Sequence, residues 1–88
     1  MTEFFVGSFM HDLTTDVQHA ANEWFRIEQS DMCNWITEQA GDRWALNTME
    51  NKVIFGGTGQ DDLEMLFIDL YVVYDSDHHA MLHKLRWE

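Results

Sequence analysis

The chain has 88 residues, of which sixteen are Asp or Glu and five are Lys or Arg, giving a formal net charge of −11 with His neutral. Charge of that sign repels nucleic acid and anionic membrane surfaces, which excludes direct binding to either and favours basic protein surfaces as partners. Hydrophobic residues make up 45% of the chain, with four Trp, six Phe and two Tyr; an acidic disordered tail lacks such groups, so one small acidic domain over residues 1–88 is expected.

Phe4-Phe5-Val6 favours a short strand. No basic region or long apolar run accompanies it, so no signal peptide is visible and a cytoplasmic location is expected. Residues 10–40 read as one long amphipathic helix, either continuous or broken near Ser30-Asp31. Leu13, Val17, Ala20, Ala21, Trp24, Met32 and Trp35 recur at three- and four-residue steps and give it an apolar face. Asp12, Asp16, His19 and Glu23 repeat on the other face, continued by Arg26 and Ser30. Gly41 is placed to stop the helix, because Gly accepts the positive φ common at helix ends.

Residues 43–55 read as extended. Trp44 and Leu46 alternate with Ala45 and Asn47, and Val53-Ile54-Phe55 favours a strand, with Met49-Glu50-Asn51 as the turn of a hairpin. From Gln60 onward the spacing of Leu63, Leu66, Phe67, Leu70, Val73 and Tyr74 predicts a helix. The competing reading makes 67–74 a strand, since Ile68, Tyr71, Val72 and Val73 favour one. Ser76-Asp77 interrupts the run and caps a last short helix, with Lys84 and Arg86 at its far end complementing the helix dipole. The expected fold class is therefore α+β: a long N-terminal helix, a short antiparallel sheet, and C-terminal helical segments.

Motifs for chemistry are sparse. Gly56-Gly57-Thr58-Gly59 sits where phosphate-cradling loops occur, but no Lys-Ser/Thr pair follows, and Asp61 and Asp62 would repel a phosphate. Asp75-Ser76-Asp77 begins like a calcium loop yet lacks its Gly and its closing Glu. Cys33 is the single cysteine, so no intramolecular disulfide forms, and its acidic and apolar neighbours do not activate a thiol. No pair of carboxylates stands out for acid–base catalysis. The chain is read as no enzyme, with no cofactor. His79 and His83 lie four apart and would share a helix face, which leaves a small metal-binding domain as an alternative.

The acidic segments remain. Asp61, Asp62, Glu64, Asp69, Asp75 and Asp77 occur with no intervening Lys or Arg, and eight acids precede Arg43 against one base. Solvated faces normally mix both signs, and like charges on neighbouring turns cost stability. On helices such acids stand about 5–6 Å apart and imitate a row of phosphates. In length and charge the chain is similar to the small acidic inhibitors that phages and mobile elements direct against nucleic-acid enzymes, some of them DNA mimics, and to immunity proteins that neutralise nuclease toxins. That resemblance implies an inhibitor that blocks the basic nucleic-acid-binding surface of another protein. The partner-binding residues expected are Asp61, Asp62, Glu64, Asp69, Asp75 and Asp77, together with Asp12, Asp16 and Glu23. The other alternative is a structural or regulatory homodimer that buries its aromatics in a symmetric patch.

Overall fold

The computed structural model describes residues 2–12, 16–56 and 63–88. Its elements are β1 (Glu3–Asp12), α1 (Val17–Glu28), α2 (Ser30–Ala40), β2 (Trp44–Phe55), β3 (Leu63–Tyr74) and α3 (Asp77–Trp87). The strands form one antiparallel sheet in the order β1-β3-β2.

This architecture corrects the expected fold in three places. The first element is a ten-residue strand and not the start of a long helix; Met10, His11 and Asp12 pair with Phe67, Leu66 and Met65. Residues 63–74 are a strand and not a helix. β3 is the central strand, with both edges paired, and its β-branched Ile68, Val72 and Val73 suit that position. Met49-Glu50-Asn51 is no turn, because β2 runs through it unbroken in register with β3. The hairpin connection falls instead between Phe55 and Leu63; of the Gly56–Gly59 stretch only Gly56 lies within the described residues, at φ 116.

The α+β character and two helix boundaries agree with the sequence reading, and of its two options near Ser30 the broken one is realised, at Gln29. Gly41 ends α2 at φ 61, with its N–H on the Thr37 carbonyl. Ser76 caps α3, its side chain accepting from the His79 N–H, and Asp77 opens the helix that Lys84 and Arg86 close.

A bulge decides how β1 meets the helices. Phe5 pairs with Tyr71 and Gly7 with Leu70, so Val6 is the extra residue. One inserted residue shifts the pleat by one. Phe4 and Val6 point to the core before the bulge, and Gly7, Phe9 and His11 take that side after it. The Trp24 ring lies directly over Gly7, where a Cβ would collide with it, and stacks on Phe9 at 5.5 Å. Gly7 also adopts φ 155, a backbone that only glycine takes without strain. The break between α1 and α2 is tied to the same spot: Gln29, at the junction, donates its Nε2 to the Val6 carbonyl at 3.2 Å.

All three helices pack on one side of the sheet. Phe4, Val6, Leu46, Leu70, Val72 and Tyr74 meet Ala21, Phe25, Ile36 and Ala40 there, with Trp24, Trp35 and Trp44 at the margin. α3 enters this core through His83, which is 1% exposed. Its Nδ1 lies 2.6 Å from the Tyr74 hydroxyl, and its ring stacks on Phe4 at 4.2 Å. Strands of twelve residues span about 40 Å, so the sheet outruns its helices. The extents are 51 × 19 × 17 Å and the radius of gyration is 15.4 Å, against about 12 Å for a compact chain of this length. Among the described residues no helix is long and apolar enough to cross a membrane.

Candidate functional site

Strand alternation puts successive side chains on opposite sides. With the helices on one side, the other side of the sheet has no covering layer among the described residues. Its central strand contributes Phe67, Asp69, Tyr71 and Val73, of which Val73 is buried at 9% exposure. Around them the register sets Met10 and Asn51 beside Phe67, Ser8 and Met49 beside Asp69, and Phe5 and Asn47 beside Tyr71. Phe5 and Met49 are each 56% exposed, and Met10 and Phe67 are also open to solvent. Phe5 and Tyr71 meet edge to face at 5.6 Å. No Lys or Arg occupies an open-face position of the three strands among the described residues.

Among the described residues the expected acidic rows do not form. The segment that holds most of them is a strand, so its acids alternate between the two sides. Glu64 stands on the helix side and binds Lys52 at 3.1 Å, whereas Asp69 stands on the open side. Asp75 lies exposed in the turn after β3, and Asp77 opens α3. Asp61 and Asp62 lie outside the described residues. Asp12 belongs to β1 and shares no helical stripe with Asp16 and Glu23. Asp16 caps α1, accepting from the Gln18 N–H at 3.0 Å. Glu23 holds the Arg26 guanidinium through both carboxylate oxygens, at 3.0 and 2.9 Å.

Local roles thus account for Asp16, Glu23, Glu64 and Asp77. Of the candidates with described side chains, Asp69 and Asp75 have no cation or cap among the described residues. Asp69 alone is framed by large apolar side chains. Asp69 was a candidate from sequence, but its frame of Phe5, Met10, Met49, Phe67 and Tyr71 was not. The usable signal was the apolar content of 67–74 at both odd and even positions, the pattern of a central strand that carries apolar side chains on both faces.

His79 and His83 are engaged within the fold. His83 is buried on Tyr74, and His79 Nδ1 lies 3.0 Å from the Ser76 hydroxyl. Burial lowers the His83 pKa below its ordinary value, with Glu88 pulling the other way. Burial also raises the Tyr74 phenol, which therefore stays protonated and able to donate. No group of three or more His, Cys, Asp or Glu converges to hold a metal among the described residues.

A groove of about 660 Å³ opens between α1 and the start of β2. Phe25, Cys33, Trp44 and Leu46 form its apolar floor, and Gln18, Asn22 and Arg26, four residues apart on α1, form a polar wall. Gln18 and Asn22 hydrogen-bond each other at 3.1 Å. Cys33 is a free, half-buried thiol.

A scan against protein-family models, a search of curated proteins and a search of solved structures each found no significant match, so the chain's own residues carry the functional assignment.

Proposed function

We propose that this chain is a small acidic binding protein, with no catalytic role, that occupies a basic, nucleic-acid-binding surface on another protein and so inhibits it. The observation that carries the reading is unneutralised charge on an elongated body. Eleven net negative charges along 51 Å amount to one per about 4.6 Å. A nucleic-acid single strand carries one per ~3.4 Å and a duplex one per ~1.7 Å. Spread over all sides of the body, that charge gives the protein a negative potential that attracts a basic surface built for nucleic acid.

The few cations do little to offset it. All five are already counted in that net charge: Arg26 and Lys52 are each held by a carboxylate, Arg86 lies over the Trp87 ring at 4.7 Å, Lys84 joins it at the end of α3, and Arg43 is exposed before β2. The mimicry does not need one regular row of acids. It needs a negative potential over a surface of the right length, with apolar anchors to fix the docked geometry.

The test is competition. Proteins retained by the immobilised chain at low salt and released at high salt are purified, and their binding to labelled nucleic acid is measured with and without the chain. Displacement of nucleic acid, weakening as salt rises, is the expected result. Simultaneous binding of both without mutual effect would exclude mimicry.

A further inference from the structure

The structure assigns the open sheet face a specific occupant: an arginine of the partner, docked on Asp69 with its guanidinium between Phe67 and Tyr71. This rests on the proposal that the partner is a basic protein, and it names the surface and residue that partner would use.

Position and surroundings make Asp69 unlike the other acids. It lies mid-strand on the central strand, with Ser8 and Met49 as its cross-strand neighbours. Phe67 and Tyr71 flank it two residues away on the same face, and Met10 and Phe5 stand beside them in the next register rows. No Lys, Arg or His pairs with it among the described residues. The Asp69 side chain is already half-buried before anything binds. Docking a partner would strip the remaining water, and a buried carboxylate without a cation is costly. The occupant must therefore bring positive charge to this point and apolar surface around it.

Arginine meets both demands better than lysine. Its planar guanidinium engages a carboxylate through two parallel hydrogen bonds, stacks on aromatic faces and is less strongly hydrated than an ammonium. Tyr71, already braced edge to face by Phe5, offers such a face. Met10 and Met49 supply flexible thioether side chains that adapt to a partner.

A second copy of this chain fits poorly. Two open faces related by a two-fold axis would bring the Asp69 carboxylates toward each other in the buried centre, with no cation among the described residues of either face to separate them. An anionic lipid surface is repelled by the net charge.

The test uses the intact chain and two synthetic peptides of equal length and charge, one with arginine and one with lysine between leucines, titrated at physiological salt. The arginine peptide is expected to bind more tightly and to shift the amide resonances of Ser8, Met49, Phe67, Asp69 and Tyr71. Asp69→Asn should weaken it roughly thirtyfold or more, as loss of one partner of a desolvated charge pair does. The triple variant Glu28→Gln, Asp31→Asn and Glu38→Gln, which removes three exposed charges from the helix layer, should change it only a few-fold. Equal binding of the two peptides, or shifts confined to α1 and α2 with Asp69→Asn silent, would overturn the docking site and leave the basic-partner reading standing. No binding of either peptide would overturn the docking site, while the basic-partner reading is decided by the competition with nucleic acid. Self-association through the open face, abolished by Met49→Glu, would replace the arginine with a second copy.

Discussion

On the helix side of β3, Ile68, Leu70 and Val72 are fully buried, while one position along, on the other side, Phe67 is exposed and Asp69 and Tyr71 are only half-buried. The two sides draw on similar apolar residues from the same three strands. They differ in what covers them. The helix side is closed by Phe25, Ile36 and Trp24 and pinned by the buried Tyr74–His83 pair. The open side keeps large apolar side chains in water and sets a carboxylate among them. A small domain gains stability from every covered apolar group, so a face left uncovered is the place to look for binding.

The largest test of this contrast is a matched pair of truncations. Phe25→Ala, at a residue 1% exposed, should cost about 4 kcal/mol in denaturant unfolding. Phe5→Ala, at a residue 56% exposed, should cost under about 1 kcal/mol. Equal losses would mean that the open side is covered in solution. Next comes Gly7→Ala, which strains the backbone and drives a methyl into the Trp24 ring; roughly 2–3 kcal/mol should be lost. A neutral result would contradict the packing of α1 on the bulge.

The buried imidazole gives a pH dependence. Because the folded His83 has a lowered pKa, the unfolded chain binds more protons as pH falls below about 6.5. The stability is therefore fully present above that pH and is lost as pH falls toward the folded value. His83→Phe should flatten this part of the stability profile compared with the parent chain; an unchanged slope would show that the imidazole is not buried neutral.

Much of the helical content was legible because its signals are local. Ser76 and Gly41 act through their own backbone neighbourhoods. The strands were harder for reasons that lie outside any short window. In β1 the bulge at Val6 changes which side the alternation points to, so Phe4, Val6 and Phe9 share a face despite their irregular spacing. In β3 both sides are apolar, and the resulting run also satisfies helical steps; only its pairing with two neighbours selects the strand. The candidate site inherits that ambiguity. Asp69 was legible as an acid in a base-free segment, but its isolation from Glu64 follows only once the segment is extended. The smallest expected stability change tests this directly: Asp69→Asn should alter unfolding by no more than about 0.5 kcal/mol, since no partner within the described residues depends on it.

The central claim, that the open face is the docking face, can be read from the chain's own methionines. Met10 and Met49 lie on that face, Met81 is 62% exposed on α3, and Met32 packs against the core. Exposed thioethers oxidise to sulfoxides faster than packed ones, and mass spectrometry resolves each site. Oxidation of the free protein should proceed readily at Met49 and Met81 and slowly at Met32. With the arginine peptide bound, Met10 and Met49 should be protected while Met81 is unchanged. Protection of Met81 with Met10 and Met49 still reactive would contradict the account.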